Sequence, residues 1–343
     1  MAQKQTILVT GGTGYIGSHT TVELIEKGYN VVIIDNLSNS DKTVLDGIKK
    51  IIGTKPDFYQ IDMCEPDAVK KIFEKHKDIK AVIHFAASKA VGESVEKPLK
   101  YYENNLISLI YLLKAMSECS INQLVFSSSC TVYGQPEELP VTENAPIQTA
   151  NSPYGNTKQI AEEIIKDIIV SKAELNAVLL RYFNPIGAHP TAHIGELPNG
   201  VPNNLIPFIT QTAAGIRKEL KIFGDDYETP DGTAIRDYIN VVDLAKAHVI
   251  AIERLLTSKN DRPLEIFNLG TGKGNSVLEM VKTFERATGI SFPYTIVDRR
   301  EGDIEQVWAD TTYANEVLGW KAEIPLEETL ISAWTWEKKI RNL

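Results

Sequence analysis

The stretch TILVTGGTGYIG, residues 6–17, decides the fold. Its apolar first half, Thr6 to Thr10, predicts a buried strand, and a helical pattern follows from Tyr15 to Lys27. The turn between them spaces Gly11, Gly14 and Gly17 as GxxGxxG. A Cβ there would keep the backbone from a pyrophosphate, while the helix N-terminus offers N–H donors. The stretch therefore predicts a dinucleotide-binding strand–turn–helix unit.

Strands and helices alternate beyond this unit, and the strands are almost continuously apolar, as expected when both faces are buried. The fold class predicted is α/β: a doubly wound parallel sheet (Rossmann) with a smaller C-terminal α/β substrate domain. The further predicted strands are Asn30 to Asp35, Lys80 to Ala86, Gln123 to Ser128 and Ala177 to Phe183, and the further helices are Pro66 to Lys77, Pro98 to Cys119 and Pro153 to Val170.

The amino-acid composition changes after Asn184 to a segment rich in Pro, Gly, Asn and His. This change indicates that the chain leaves the sheet there. We expect residues 1–184 to form the dinucleotide-binding domain and residues 185–343 to form the substrate domain. Segments near 241–270, a helix at Val241 to Leu256 and a strand at Glu265 to Leu269, are expected to return to the first domain.

Composition restricts the function. The 343 residues carry a formal net charge of -9, which argues against nucleic-acid or membrane partners. Three cysteines at unrelated spacings form neither a disulfide framework nor a zinc pattern, so we expect no metal. With no apolar segment of signal-peptide length seen at the N-terminus, the chain is expected to be cytoplasmic. An anionic substrate would need a local group of arginines.

The second predicted strand ends in Asp35, 18 positions after Gly17. A carboxylate there would accept hydrogen bonds from the adenine ribose hydroxyls and would repel a 2′-phosphate, so NAD is predicted rather than NADP. Asp62 at the end of the third strand, with Met63 beside it, could hold the adenine edge. The fourth strand ends in Phe85 and Ala86, with Lys89 just beyond.

Tyr154 and Lys158 lie four residues apart in a predicted helix that begins after the N-cap Ser152, so their side chains share one face. Lowering a tyrosine pKa from about 10 to about 7 requires roughly 4 kcal/mol of differential stabilisation of the phenolate. The ammonium can supply part of it, and the charged nicotinamide of oxidised NAD the rest. Tyr154 is therefore the predicted base. Ser129 is predicted to share the substrate proton, because it falls at the exposed end of the preceding strand.

Four motifs carry a family resemblance: TGGTGYIG, FSSSCTVYG, SPYGNTK and RYFNPIGAHP. Together with HFAASKAVGES (84–94), VPNNLIP (201–207), DGTAIRDYI (231–239) and RREGD (299–303), they resemble the extended short-chain dehydrogenase/reductase superfamily and, within it, the UDP-glucose 4-epimerases (UDP-galactose 4-epimerases). The resemblance runs over nearly the full length. It implies an NAD-dependent isomerase of galactose metabolism that oxidises the sugar at C4 and returns the hydride to the other face. It also implies a homodimer.

Matching positions imply site residues. Those expected to hold NAD, besides the three glycines, are Tyr15, Ile16, Asp35, Asn36, Asn39, Ser40, Asp62, Met63, Phe85, Ala86, Lys89, Asn104, Tyr154, Lys158 and Phe183. Those expected to hold the UDP-sugar are Lys89, Ser129, Tyr154, Asn184, Asn204, Leu205, Lys221, Phe223, Arg236, Arg300, Asp303 and Val307. Arg236 and Arg300 answer the need for local arginines, since guanidinium pairs bidentately with diphosphate.

Val307 departs from the family members that place a tyrosine beside the sugar. A smaller side chain leaves room for a 2-acetamido group, so we expect UDP-GlcNAc and UDP-GalNAc to be interconverted as well. The simpler interpretation is that Val307 is a core residue.

Two alternatives compete with epimerisation. A sugar-nucleotide 4,6-dehydratase needs acids to eliminate the 6-hydroxyl, and the family resemblance places these directly after the serine strand. Cys130 and Thr131 stand there in this chain, so dehydration is disfavoured. A non-catalytic NAD-binding sensor would have no use for Ser129, Tyr154 and Lys158 together with a set of sugar-nucleotide contacts.

Overall fold

The computed structural model of the chain describes residues 4–300 and 303–343. Glu301 and Gly302 of the RREGD motif and residues 1–3 lie outside the described part. Thirteen β-strands form in the described residues: β1 (Thr6–Thr10), β2 (Asn30–Asp35), β3 (Asp57–Gln60), β4 (Ile79–His84), β5 (Gln123–Ser127), β6 (Asn176–Tyr182), β7 (Asn184–Ile186), β8 (Leu220–Phe223), β9 (Ile235–Asn240), β10 (Leu264–Leu269), β11 (Gly274–Ser276), β12 (Tyr294–Val297) and β13 (Gln306–Val307).

The same residues form eleven α-helices: α1 (Tyr15–Glu26), α2 (Val44–Ile52), α3 (Ala68–Lys75), α4 (Val91–Glu96), α5 (Pro98–Tyr102), α6 (Ser108–Glu118), α7 (Pro153–Val170), α8 (Leu205–Ala213), α9 (Val241–Leu256), α10 (Val277–Thr288) and α11 (Leu326–Arg341). Shorter helical segments are a 3-10 turn at Cys130–Tyr133 and π-helical turns at Glu103–Ile107 and Ala314–Leu318. None of the helices in the described ranges is long and apolar enough to cross a membrane.

A seven-stranded sheet with the order β10-β6-β5-β4-β1-β2-β3 is the centre of the fold. Strand β1 is buried along its whole length and pairs in parallel with both β2 and β4. The order reverses between β1 and β4, and in doubly wound sheets ligands bind at the carboxyl ends of the strands beside such a reversal. The predicted doubly wound parallel sheet is confirmed.

The chain divides into two compact units. The first contains residues 4–134, 147–181 and 245–267, and the second contains 135–146, 182–244 and the described part of 268–343. The assignment of NAD binding to residues 1–184 and of substrate binding to 185–343 stays a prediction.

Each unit has a hydrophobic core of its own. In the first, strand residues such as Leu8, Val82 and Leu124 pack with Leu112 and Met116 of α6. In the second, Phe284 of α10 lies between two edge-on aromatic rings, with ring centroids 5.7 Å from Phe292 and 6.0 Å from Trp334 of α11. The second unit also contains a four-stranded sheet, in which β11, β13 and β7 all pair with β9, and a parallel pair of β8 and β12.

The predicted helix from Pro98 to Cys119 is interrupted by the π-helical turn between α5 and α6. A π-helical turn accommodates an extra residue and rotates the side chains that follow. Within this turn Asn105 is buried, and its amide donates hydrogen bonds of 3.0 Å each to the Ser88 carbonyl and to Oγ1 of Thr157. The interruption therefore places a polar residue that links the loop after β4 to α7, which helical periodicity alone did not predict.

Candidate active site

The turn after β1 is closed by backbone contacts that exclude larger residues. Gly11 has a φ of +70°, and a Cβ on it would lie 2.8 Å from the Ala86 nitrogen. A Cβ on Gly17 would lie 2.3 Å from the Gly11 carbonyl oxygen. Gly14 is the N-cap of α1 and supplies no side-chain cap, so the N–H groups of the first helical turn stay available to phosphate oxygens. These features fit a dinucleotide.

Asp35 at the carboxyl end of β2 organises the neighbouring loops. Its carboxylate accepts hydrogen bonds from the Leu37 nitrogen at 2.9 Å, the Ser40 hydroxyl at 3.0 Å and the Thr13 nitrogen at 3.2 Å. A carboxylate has about four acceptor positions, so one remains for a ribose hydroxyl. The geometry therefore fits the predicted NAD.

The structure places Asp62 and Met63, the two residues predicted to lie at the adenine edge, differently from what the sequence predicts. Strand β3 ends at Gln60, so Asp62 follows in the loop, where it accepts hydrogen bonds from the Cys64 nitrogen and the Asn36 amide. The expectation that Asp62 ends the strand is wrong, because the strand partner β2 stops pairing at Asp35. Met63 is buried in the hydrophobic core of the first unit.

Most of the predicted NAD residues lie at the carboxyl ends of β1, β2 and β4, in the loop after β3, or at the starts of helices. Those in the first unit are Gly11, Gly14, Tyr15, Ile16, Gly17, Asp35, Asn36, Asn39, Ser40, Asp62, Met63, Phe85, Ala86, Lys89, Asn104, Tyr154 and Lys158, whereas Phe183 belongs to the second. Phe85 and Ala86 follow β4, which ends at His84, and their N–H groups bond to Thr10.

Helix α7 presents Tyr154 and Lys158 one turn apart, and both are buried. The helix begins where Ser152 caps it, with the Ser152 hydroxyl accepting from the Gly155 nitrogen at 3.1 Å. The Lys158 ammonium donates to the Ser127 carbonyl at 2.7 Å and lies 4.8 Å from the Phe126 ring centroid. The end of β5 therefore fixes the ammonium of the residue one helical turn after the predicted base.

Burial lowers the pKa of Lys158 to about 8, and the nearby Glu162 carboxylate acts in the opposite direction. On β4, burial and the Lys158 charge lower the pKa of His84 to about 3, so the imidazole is neutral at pH 7. His84 Nδ1 lies 2.7 Å from the Thr10 hydroxyl. The Lys158 ammonium therefore has an anion near it and no second cation at His84.

Ser129 is buried, not exposed as its position at the end of the strand suggested. Strand β5 ends at Ser127, and the chain turns at once into the 3-10 segment, whose first N–H groups need a cap. The Ser129 hydroxyl accepts a hydrogen bond from the Thr131 nitrogen at 3.2 Å. That bond uses an oxygen lone pair, so the hydroxyl hydrogen can still be donated to a substrate oxygen.

The predicted substrate residues of the second unit lie mainly on its strands. They are Asn184 on β7, Asn204 and Leu205 at the start of α8, Lys221 and Phe223 on β8, Arg236 on β9, Val307 on β13, and Arg300 with Asp303 between β12 and β13. Lys89, Ser129 and Tyr154, also predicted to contact the substrate, belong to the first unit.

Arg236 and Val307 are direct neighbours, because β13 pairs in parallel with β9 and places these two residues opposite each other. The Arg236 guanidinium donates to the Ile235 carbonyl at 2.8 Å. Arg300 pairs with Asp303 at 2.7 Å, and its guanidinium carbon lies 5.6 Å from the Phe223 ring centroid. The structure thus gives these charged and aromatic groups defined positions in the second unit.

Tyr227 lies in the same unit and is buried, and its hydroxyl has no hydrogen-bond partner among the described residues. A buried hydroxyl without a partner is destabilising, by about 1–3 kcal/mol, unless water or a ligand satisfies it. The second unit thus contains an unused polar atom as well as its predicted ligand residues.

Comparison with known proteins agrees with this geometry. The profile of the family described as GDP-mannose 4,6 dehydratase matches residues 8–332. The UDP-glucose 4-epimerase of Bacillus subtilis (strain 168) is 51% identical over 336 residues, which cover 98% of either chain. That of Drosophila melanogaster is 48% identical and covers 98% of this chain and 97% of its own.

The chain belongs to the UDP-glucose 4-epimerase family.

Solved structures of the epimerase family superpose closely. The UDP-glucose-4-epimerase of Stenotrophomonas maltophila, with bound NAD and formylated UDP-arabinopyranose, is 46% identical, with a TM-score of 0.95 over 98% of this chain and 99% of that one. The UDP-Glc/GlcNAc 4-epimerase of Campylobacter jejuni is 34% identical, with a TM-score of 0.83 over 98% and 99%. The epimerase relatives agree with Cys130 and Thr131 in disfavouring dehydration, although the profile bears a dehydratase description.

Sequence reasoning missed several polar residues of this epimerase-family chain. Asp237, next to Arg236, is buried, and its carboxylate accepts hydrogen bonds from Thr271, Gly272 and Ala309. Burial raises the pKa of Asp237, and the hydrogen bonds from Thr271 act in the opposite direction. Asp237 shares a strand face with Ile235 and Ile239, and this pattern could have marked it as buried. No local signal could have paired Glu162 with its partner Arg181, since their contact depends on the fold.

Replacing Lys158 with Met should stabilise the protein at neutral pH. The pKa of Lys158 is lower in the folded state than in the unfolded chain, so the unfolded state binds more protons between about pH 8 and 10.5, and wild-type stability rises with pH in that window. We expect the advantage of Lys158→Met to shrink by about 2 kcal/mol between pH 7 and 9.5. Urea unfolding of both proteins at the two pH values measures this; an advantage that grows with pH contradicts the assignment.

Proposed function

We propose that this protein interconverts UDP-glucose and UDP-galactose by transient oxidation at the sugar C4. The observation that carries the proposal is the first-unit arrangement of Tyr154 and Lys158 on α7 beside Ser127 at the end of β5, two residues before Ser129. The full-length similarity to UDP-glucose 4-epimerases supports it.

Bound NAD would supply the hydride chemistry, taking the C4 hydride and returning it to the opposite face of the sugar. The residues fit that cofactor, through the glycine turn, the N-terminus of α1 and the remaining acceptor position of Asp35. Solved relatives contain NAD. Asp35 would also disfavour NADP, because a 2′-phosphate would meet its carboxylate.

Tyr154 would accept the proton of the sugar 4-hydroxyl and later return it. Its phenolate form is favoured by the Lys158 ammonium, since a nearby opposite charge stabilises the charged form of an acid. Ser129 would share the proton through its hydroxyl. In the second unit, Arg236 and Arg300 would bind the diphosphate, because guanidinium groups match phosphate oxygens in charge and geometry.

Tyr154→Phe tests the proposal. Removal of a general base lowers kcat by about 100- to 10,000-fold, so we expect a loss in that range in a coupled assay that converts UDP-galactose. Tyr111→Phe on α6 is the matched control and should keep wild-type activity. Bound NAD per chain should be unchanged in Tyr111→Phe and at most slightly lower in Tyr154→Phe, which keeps every other predicted NAD contact. A Tyr154→Phe variant as active as wild type contradicts the proposed mechanism.

We also propose that the protein accepts UDP-GlcNAc and UDP-GalNAc. Val307 is small and buried, and its backbone is paired to β9 opposite Arg236. A tyrosine at this position would occupy space that an acetamido group needs. The Campylobacter jejuni neighbour, named as a UDP-Glc/GlcNAc 4-epimerase, shares this fold.

Val307→Tyr should lower kcat/KM for UDP-GlcNAc by roughly 10-fold or more, since steric discrimination in a pocket is worth about 1–3 kcal/mol. The value for UDP-glucose should change little, and Val307→Ile serves as the conservative control. If wild type turns over UDP-GlcNAc no better than Val307→Tyr does, the proposal is wrong.

The resemblance further leads us to propose a homodimer in the cytoplasm that acts in galactose metabolism. Support for the dimer comes from three exposed apolar side chains spaced four apart on α4 and α5: Val91 is 48%, Val95 62% and Leu99 80% exposed. Val91 and Val95 share one face of α4, and Leu99 follows in the first turn of α5, so this short stretch exposes apolar surface that is favourable to cover with a second copy.

Val95→Asp/Leu99→Asp should convert the dimer to a monomer, because burying two carboxylates in an apolar interface is unfavourable. Sedimentation velocity over a concentration series measures the change. Leu343→Asp, at another exposed apolar residue, is the control and should leave the dimer intact. A wild-type chain that sediments as a monomer contradicts the dimer.

A further inference from the structure

A buried carboxylate on α7 lies one turn beyond Lys158. Glu162 accepts a short hydrogen bond from the Ser128 hydroxyl, and the Arg181 guanidinium donates to both of its oxygens, through Nε at 3.0 Å and Nη2 at 2.5 Å. All three side chains are buried in the first unit. One carboxylate therefore joins α7 to the ends of β5 and β6.

Arg181 extends the connection to the 3-10 turn after β5. Its Nη1 donates to the Tyr133 hydroxyl at 3.0 Å, and its guanidinium carbon lies 4.9 Å from the Tyr133 ring centroid. Each of the three guanidinium nitrogens of Arg181 donates to an acceptor, as a charged pair requires when it leaves water.

We propose that Glu162 is a positioning residue of the reaction, because its carboxylate fixes helix α7 against the end of β5 that the two catalytic side chains use. This inference rests on the proposed function. Ser128 stands between Ser127, whose carbonyl accepts a hydrogen bond from the Lys158 ammonium, and Ser129, which is predicted to share the substrate proton. Successive side chains of an extended segment point to opposite faces. The Ser128 side chain is therefore the one of the three that points to Glu162, and the carboxylate fixes the middle of the segment.

The stability of the fold does not by itself explain why a charged residue occupies position 162. Replacing a buried ion pair by apolar residues of similar volume is often neutral or stabilising. What an apolar pair cannot supply is a directional bond to the Ser128 hydroxyl. The charged form of Glu162 accepts that bond and the two from Arg181 at once.

The charge also acts on Lys158. The charged or titratable side chains near the Lys158 ammonium come from α7 and from two strands. Glu162 and Tyr154 lie on α7 itself. His84 lies on β4, and Arg181, the partner of Glu162, lies on β6. His84 is neutral at pH 7, and Glu162 is the anion that raises the pKa of Lys158 against the effect of burial. Removing the Glu162 charge lowers that pKa, so Lys158 loses its proton at a lower pH.

Glu162→Gln is the first test. A misplacement of about 1 Å at a catalytic group costs roughly 100-fold in rate, so kcat for UDP-galactose should fall by about 10- to 100-fold with KM within about twofold of wild type. The alkaline limb of the pH–kcat profile should move to lower pH, since protonated Lys158 is required. A role in folding alone would lower activity equally at all pH values.

Two further variants separate position from charge. Ser128→Ala keeps the ion pair and should lower kcat without moving the alkaline limb. Glu163→Gln, at the exposed neighbour of Glu162, should change neither quantity.

The double variant Glu162→Leu/Arg181→Leu covers the case in which Glu162→Gln does not fold, because it leaves no unpaired charge. It should fold, lose kcat as Glu162→Gln does and show the shifted limb. A folded double variant with wild-type kcat and an unmoved limb overturns the inference. An inactive wild type overturns the proposed function instead, so the two failures are distinct.

Discussion

The buried ammonium of Lys158 is the constraint on which the arrangement of the first unit depends. A cation inside a protein is stable only where oxygens, π-faces or anions replace the water that it has lost. Here the Ser127 carbonyl, the Phe126 ring and the nearby Glu162 carboxylate do so. Each comes from an element whose position is fixed by the parallel sheet, so the sheet order and the charge state of one side chain are linked.

The second unit fixes an arginine of this acidic chain on a strand inside a sheet. Arg236 lies on a central strand, held by β7, β11 and β13 around it, and the adjacent Asp237 fastens the segments that follow β10 and β13. A buried carboxylate with several donors is rigid in a way that an exposed ion pair is not. The Arg236 guanidinium is therefore attached to a rigid part of the second unit.

The sequence predicted correctly those features that depend on contacts between residues close together in the chain. The glycine turn, the Ser152 cap and the bounds of α7 follow from contacts within a few residues, and the sequence alone indicates them. The burial of Ser129 and the core position of Met63 depend on how neighbouring segments pack, and neither was predicted. The pairing of Glu162 with Arg181 joins a helix to a strand, so only the fold reveals it. The fold class is confirmed, whereas the roles of the site residues stay predictions.

Strand β13 is two residues long and is attached to β9 by its backbone. Backbone bonds do not depend on the side chain, so the residue at position 307 can be exchanged by a single codon change while the strand stays in register. Tyr154 and Lys158, the predicted general base and its lysine, lie in the other unit and on a helix. Under the role proposed for Val307, a lineage could widen or narrow its range of sugars through mutation at this position without changing Tyr154 or Lys158.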